Sequence, residues 1–152
     1  MTQKLNLPEY SFRIKKEEEK EYIFDDLRKK FVRLSPEEWV RQNFIAFLLK
    51  EKNYPRSLLA VEASVTINQN KLRADLIVYK RNGKPALVVE FKAPSVKISQ
   101  LTFDQIVRYN MQLKVEFLVV SNGLNHYCCK IDYLKNSFTY LQEIPDYKLI
   151  ES

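Results

Sequence analysis

Glycine is scarce in this chain, which has only two glycines among 152 residues. A phosphate-cradling loop and a dinucleotide-binding fingerprint both depend on closely spaced glycines, and the chain has neither pattern. This scarcity excludes most nucleotide-driven motors and dehydrogenases.

Cysteine is equally scarce, and the only two cysteines are the neighbours Cys128 and Cys129. Neighbouring residues on a strand face opposite sides, so a bridge between these two would be strained. We therefore expect free thiols, as in a reducing compartment. Two adjacent cysteines and the single His126 also lack the ligand spacing of a zinc site.

Long apolar runs are absent, since no segment approaches the roughly 20 apolar residues that span a membrane. The amino terminus lacks the basic and then apolar pattern of a signal peptide. We therefore expect a cytoplasmic protein with no membrane partner. The net charge of +6 permits an anionic partner such as nucleic acid.

The length and the apolar content of 45% predict one domain over residues 1–152, with an amino-terminal appendage or hairpin (1–33) and a core (34–147). Ser35 followed by Glu38 is a helix start and predicts a helix over 36–51. Strands are predicted at 58–67, 72–79, 86–91, 115–120, 125–131 and 137–141, with a helix over 99–112. This order favours an α/β fold with a mixed sheet flanked by helices.

Two details of this prediction concern charge and burial. Short strands at 10–14 and 22–24 are expected to flank the charged segment 15–21, which we interpret as a solvated turn. The buried stripe of the second helix is predicted to consist of Leu101, Ile106, Val107 and Met111.

Three ionisable residues interrupt two apolar strands that are joined by a turn at Asn82-Gly83. Glu90 and Lys92 share one face of their strand, and Asp75 can join them across the hairpin. Metal-dependent phosphodiester cleavage needs two carboxylates for a hard divalent cation and a lysine that stabilises charge or positions water. A purely structural ion-pair cluster is the alternative interpretation.

These residues also carry a family resemblance. Asp75, a gap of fourteen residues, Glu90-Phe91-Lys92, the helix start at Ser35 and the later Gln105-Ile-Val-Arg-Tyr109 together resemble the PD-(D/E)xK nuclease superfamily. The closest likeness is to the nuclease-type domain at the amino terminus of type I restriction enzyme R subunits and to its short stand-alone relatives. The resemblance covers roughly residues 24–147, although Ala74 stands where the motif's name has proline.

The resemblance implies a restriction-endonuclease-like fold and a metal-dependent DNA endonuclease. Asp75 and Glu90 would bind Mg²⁺ or Mn²⁺ with the carbonyl of Phe91, and Lys92 would lie beside the attacking water. Similar nucleases often supply a further acid from the first helix. Glu37 and Glu38 are equal candidates, because Glu38 has the capping-box position whereas Glu37 shares the face of the buried residues.

Further residues are expected to border this site. In similar nucleases, a pair such as Gln105 and Tyr109 contacts substrate or orients the lysine. Arg41 and Gln42 either contact phosphate or form ordinary helix-surface pairs. Glu62 is expected only to pair with a basic neighbour, and the basic cluster at Arg28, Lys29, Lys30 and Arg33 either contacts phosphates or is plain surface.

The resemblance also implies partners, namely DNA and the motor or methylation subunits of a restriction system. R subunits cut DNA only with a translocase attached, so the alternative function is a nucleic-acid-binding or interaction module that needs a motor partner. A hydrolase of RNA or repair intermediates is a third reading. A homodimer would supply two active sites for double-strand cleavage, and the sequence leaves this open.

Overall fold

The computed structural model describes residues 2–67 and 69–151, which form two sheets and three α-helices. The elements follow one another as β1 (Ile14–Glu17), β2 (Lys20–Asp25), β3 (Lys30–Arg33), α1 (Pro36–Glu51), β4 (Leu59–Ile67), β5 (Asn70–Tyr79), β6 (Pro85–Phe91), α2 (Gln100–Asn110), β7 (Phe117–Ser121), β8 (His126–Asp132), β9 (Ser137–Leu141) and α3 (Tyr147–Glu151).

The larger sheet has six strands in the order β4-β5-β6-β7-β8-β9. Its neighbouring strands are antiparallel except for β6 and β7, which are parallel. Parallel neighbours require a crossover, and α2 supplies it between β6 and β7. The predicted α/β fold with a mixed sheet flanked by helices is therefore confirmed.

Helices cover both faces of this sheet, with α1 and α3 on the first face and α2 on the second. On the first face Val40, Phe44 and Leu48 of α1 are buried together with apolar residues of β5 to β7. On the second face Phe103 and Val107 of α2 pack with Ile77, Val88 and Leu118. The central strands are therefore buried on both sides, which explains their continuous apolar sequence.

Helix α1 begins and ends where the sequence predicts. The Ser35 Oγ accepts a hydrogen bond from the Glu38 amide at 3.1 Å, and Pro36 occupies the first turn. At the other end, the Lys52 amide donates to the Leu48 carbonyl and Asn53 has a φ of 61°. With 16 residues α1 is the longest helix described, and none in the described chain is long and apolar enough to span a membrane.

Helix α2 buries a different set of residues from the predicted one. Leu101 is 69% exposed, and Phe103 occupies the core instead. Phe103 and Val107 are one turn apart and set the buried stripe, whereas Leu101 lies about 200° around the helix from Phe103. The prediction for Val107 is confirmed, and that for Leu101 is wrong.

The amino-terminal region is also different from the prediction. The predicted hairpin is present and its exposed turn lies at Glu18 and Glu19, but β1 and β2 extend into the charged segment and pair on either side of this turn. Opposite charges face each other across the strands at Lys16 and Glu21 and at Glu17 and Lys20, which favours this pairing. Strand β3 then completes a three-stranded sheet, so residues 10–13 lie outside the strands.

Cys128 and Cys129 are both buried on β8, and both thiols are free. Cys128 packs on the face covered by α1 and Cys129 on the face covered by α2. The expectation that the two thiols face opposite sides of a strand is confirmed.

The amino-terminal segment is fixed against the turn between β7 and β8. The Asn6 amide donates to the Gly123 carbonyl at 2.8 Å, and Leu5 is buried beside this glycine. His126 Nε2 donates to the Asn6 carbonyl at 2.9 Å, so its Nδ1 accepts from the Ser121 hydroxyl at 2.7 Å. Burial lowers the pKa of His126 despite the hydrogen bond to Asn6, so the ring stays neutral at neutral pH.

We predict that Gly123→Ala destabilises the protein more than Gly83→Ala. Both glycines have a positive φ, so alanine costs about 1–2 kcal/mol in backbone strain at either position. A Cβ at Gly123 would also lie 2.8 Å from Leu5 Cδ2 and 3.1 Å from Val40 Cγ2, whereas nothing lies within 4 Å at Gly83. Urea denaturation should show an additional loss of about 1–3 kcal/mol for Gly123→Ala. Equal losses would contradict the close packing of Leu5.

Candidate active site

Asp75, Glu90 and Lys92 come together in one cleft of about 510 Å³ at the end of β6. Asp75 comes from β5, Glu90 lies near the carboxyl end of β6, and Lys92 directly follows that strand. The residues that line the cleft are Glu37, Arg41, Glu62, Asp75, Glu90, Phe91, Lys92, Ala93 and Val96.

Strand pairing and one side-chain hydrogen bond hold Asp75 beside Glu90. The antiparallel register pairs Leu76 with Val89, which places the next residues, Asp75 and Glu90, at the same level of the sheet. The Phe91 amide donates to Asp75 Oδ2 at 2.8 Å. This bond engages Oδ2, so Oδ1 can accept a further ligand.

Lys92 is fixed by its backbone and lies near Glu90. Its amide donates to the Ser121 carbonyl of β7 at 2.9 Å. Its Nζ lies 3.5 Å from Glu90 Oε1, and both side chains are about one-third exposed. The ammonium can therefore reach a group that enters the cleft from solvent.

Burial raises the pKa of Glu90, and the nearby negative charge of Asp75 raises it further. The charge and hydrogen bonding of Lys92 oppose this shift without cancelling it. The cleft thus holds two carboxylates in a partly desolvated position, where a cation would stabilise their charged forms.

The donor atoms at this position fit a hard divalent cation that keeps most of its water. Mg²⁺ is commonly bound through one or two carboxylates, with water completing its octahedron. Asp75 and Glu90 supply two such carboxylates, and Phe91 lines the same cleft. Across residues 2–67 and 69–151, no group of three or more His, Cys, Asp or Glu side chains is arranged to hold a metal ion.

Beside the cleft, Glu38 is the centre of a buried ion-pair network. Its Oε1 accepts from Arg28 Nη2 at 3.2 Å, and its Oε2 accepts from Gln42 Nε2 at 2.8 Å and lies 3.2 Å from Arg41 Nε. Glu38 and Arg41 are only 6% and 8% exposed. Asp25, which is fully buried, holds Arg28 from the amino-terminal sheet through an ion pair.

Glu62 of β4 connects this network to the cleft. Its Oε1 accepts from Arg41 Nη2 at 3.2 Å, and its Oε2 lies 3.6 Å from Arg28 Nη1 and 3.5 Å from Arg73 Nη2. The expected pairing with a basic neighbour is confirmed, and three arginines take part in it. We did not expect Glu62 at the cleft, although a charge within the apolar run of β4 was the available signal.

The profile of the family described as "Type I restriction enzyme R protein N terminus (HSDR_N)" matches residues 36–145. The chain belongs to this family. The matched range begins with α1 and includes every cleft residue. No curated protein matches the sequence.

A solved structure supports the same fold. It is a fragment of a protein assigned as an HsdR subunit of a type I restriction enzyme from Vibrio vulnificus, which is 20% identical to this chain with a TM-score of 0.53. The likeness covers 76% of this chain and 24% of that one, so this chain spans about a quarter of the length of that fragment.

Within this family fold, the two candidate acids of α1 have different surroundings. Glu37 is exposed and lines the cleft, whereas the Glu38 carboxylate is occupied by Arg28, Arg41 and Gln42. The prediction that Glu37 points inward with the apolar residues is therefore wrong, because the Glu37 side chain is exposed. Of the two acids, Glu37 is the one that faces the cleft.

The other candidate residues also differ in whether they line the cleft. Arg41 lines the cleft, but Gln42 is bound to Glu38 and lines a different pocket under the amino-terminal sheet. Gln105 and Tyr109 are exposed on α2 and are not among the residues that line the cleft. Their expected role at the site stays a prediction.

The basic cluster before α1 is not a uniform surface. Arg28 belongs to the buried network, and Lys29 pairs with Asp26 at 3.0 Å on the surface. Lys30 and Arg33 are exposed at the two ends of β3. The interpretation of Arg28 as plain surface is therefore wrong, because Asp25, Glu38 and Glu62 occupy its guanidinium, and contact of this cluster with phosphates stays a prediction.

We predict that Glu38→Gln lowers the free energy of unfolding by about 3 kcal/mol or more, because Arg28 and Arg41 lose a buried counter-charge. Urea denaturation measures this loss. The matched control is Glu17→Gln, which removes an exposed pair with Lys15 and should change stability by less than about 0.5 kcal/mol. Similar small effects of both substitutions would show that the network contributes little.

We also predict that Glu90→Gln raises the melting temperature at pH 7 in EDTA. Because the folded state raises the pKa of Glu90, this group favours folding below its unfolded pKa of about 4.3, and that contribution is lost as pH rises through the folded pKa. Glutamine removes the cost of ionising a buried Glu90. The melting temperature of the variant relative to that of wild type should therefore rise between pH 4 and pH 7. A lower melting temperature at pH 7 would mean that attraction to Lys92 outweighs burial and Asp75.

Proposed function

We propose that this chain is a metal-dependent endonuclease domain that hydrolyses phosphodiester bonds in DNA. The observation that carries the proposal is the convergence of Asp75, Glu90 and Lys92 in one open cleft. Two carboxylates beside an ammonium satisfy the requirements of cation-assisted phosphodiester hydrolysis. Membership in the restriction enzyme R protein family supports this choice of chemistry.

Asp75 and Glu90 would hold Mg²⁺ or Mn²⁺, which supplies a Lewis acid and an activated water when it is bound. Asp75 is oriented for this role by the Phe91 amide, which fixes one carboxylate oxygen. Glu90 must be ionised, and its raised pKa means that it also competes for a proton as pH falls. The Phe91 carbonyl is a candidate third ligand.

Lys92 and Glu37 have supporting roles in this proposal. The Lys92 ammonium, 3.5 Å from Glu90, donates hydrogen bonds to the attacking water or to a phosphate oxygen. Glu37 lies on the rim of the cleft and is exposed, so it would bind the cation through water. Arg41 stays within its ion pairs and supports the cleft wall.

A second candidate function is a DNA-binding or interaction module that cuts only with a motor partner. The specific observation in its favour is that the likeness covers only 24% of a solved fragment of a protein assigned as an HsdR subunit. In this case the cleft would be competent, and delivery of the substrate would depend on another subunit of a restriction system.

We predict metal-dependent nicking of supercoiled plasmid by the purified chain in Mg²⁺ or Mn²⁺. Glu90→Gln and Lys92→Ala should each reduce the rate at least about 100-fold, because they remove a cation ligand and a charge next to the reacting atoms. Gel analysis of nicked and linear products measures the rate and also reports double-strand cleavage. A single-stranded DNA and an RNA substrate, assayed in parallel, define the substrate class.

The matched controls are Glu116→Gln and Lys130→Ala, because these residues form an acid–lysine pair at 3.2 Å away from the cleft. Both control variants should cut like wild type. If wild type binds Mn²⁺ with a rise in melting temperature but cuts nothing, the partner-dependent module is favoured. If Mn²⁺ neither stabilises wild type nor supports cleavage, the proposed metal site is wrong.

A further inference from the structure

Glu62 has a backbone conformation that is unusual for its place in the fold. Its φ is 50°, in the left-handed region that a non-glycine residue rarely adopts within a strand. The other non-glycine residues with positive φ in the described part of the chain lie between or after elements, at Glu18, Glu19, Lys29, Asn53, Gln69, Lys114 and Asn136. Glu62 is the only one of this set inside a strand.

The unusual residue lies opposite Asp75 in the sheet. Val61 pairs with Leu76 and Ala63 pairs with Ala74, but the intervening residues Glu62 and Asp75 do not form a ladder pair. The register is the same on both sides, so no residue is inserted and this is not a β-bulge. We call the Glu62–Asp75 position the crease.

The two strands exchange faces at the crease. Val61 and Leu76 pack in the core covered by α1, whereas Ala63 and Ala74 pack in the core covered by α2. Residues two apart on a regular strand share a face, so this exchange requires a half-turn of the backbone at Glu62 and Asp75. Both side chains are thereby freed from the two cores and line the cleft.

Helix α1 fixes the crease through one arginine. Arg41 Nη1 donates to the Asp75 carbonyl at 3.4 Å, and its Nη2 donates to Glu62 Oε1 at 3.2 Å. Arg41 thus contacts both members of the crease, and Glu38 lies on its remaining side at 3.2 Å. This buried arginine connects the strained backbone to the helix that covers the first core.

We propose that Glu62 is a positioning residue for Asp75, and that its left-handed backbone turns the Asp75 carboxylate toward the Phe91 amide and into the cleft, where a cation would bind. The inference rests on the proposed function for the metal, but its first consequence is independent of metal. If the backbone at Glu62 is forced to negative φ, Asp75 rotates toward a core face and loses the 2.8 Å hydrogen bond from Phe91.

The test uses substitutions that all remove the Glu62 carboxylate but differ in their tolerance of positive φ. Asparagine adopts a positive φ readily, alanine adopts it less readily, and β-branched valine adopts it least readily. The readout is the amide hydrogen-exchange rate of Phe91 divided by that of Val88 on the same strand. We expect this ratio to increase in the order Glu62→Asn, Glu62→Ala, Glu62→Val. Division by Val88 removes any uniform loss of stability, and the asparagine–alanine comparison suffices if the valine variant does not fold.

The second readout is Mn²⁺ affinity, measured by electron paramagnetic resonance of the free ion. Glu62→Val should bind Mn²⁺ about tenfold or more weakly than Glu62→Asn, as expected when support of a ligand is lost. Equal Phe91 exchange ratios in all variants would overturn the inference, whatever the metal does. Changed exchange ratios without Mn²⁺ binding by wild type would instead overturn the proposed metal site and the cation part of the inference.

Discussion

The antiparallel pairing of β5 with β6 is the constraint on which the rest of this structure depends. It places Asp75 at the level of Glu90, and it brings the Phe91 amide to the Asp75 carboxylate. The same two strands carry apolar side chains into both cores, including Leu76 and Val89 on one face and Ile77 and Val88 on the other. A one-residue change in register would therefore disrupt both cores and the cleft together.

A connected network of ion pairs joins the amino-terminal sheet, α1 and β4. Asp25 and Arg28 come from the amino-terminal sheet, Glu38 and Arg41 from α1, and Glu62 from β4, yet their side chains form one connected network. Burial alone would raise the pKa of Asp25, but the hydrogen bonds and charge of Arg28 and the amide of Leu27 together lower it. The network therefore keeps Asp25 ionised and supports the wall of the cleft.

The proposed chemistry requires that Glu90 be partly desolvated while the cleft stays accessible from solvent. Glu90 is buried enough for its pKa to be raised, yet the cleft is open, and Lys92 remains one-third exposed. A cation would relieve the repulsion between Asp75 and Glu90, so binding and ionisation are coupled. In the proposed function, a bound cation would therefore offset the cost of ionising Glu90 in its buried position.

Much of the fold could be predicted because its signals are local. The Ser35 cap, the apolar spacing in α1 and the alternation of Glu90 with Phe91 depend on residues that are neighbours in sequence. The errors concern features that helical spacing and runs of charge do not determine. Leu101 was misplaced because helical spacing does not fix which stripe meets the sheet, and the strands of the amino-terminal hairpin were placed too far from its turn because cross-strand charge pairs stabilise them within the charged segment.

The sequence by itself determined the mixed α/β fold, the family and the convergence of Asp75, Glu90 and Lys92. Only the tertiary structure decided that Glu38 is occupied by Arg28 and Arg41, that Glu37 faces the cleft, and that Glu62 stands opposite Asp75. Periodicity fixes the direction of a side chain relative to its own helix or strand. The partner that it meets is set by the packing of elements far apart in sequence, and no local pattern contains that information.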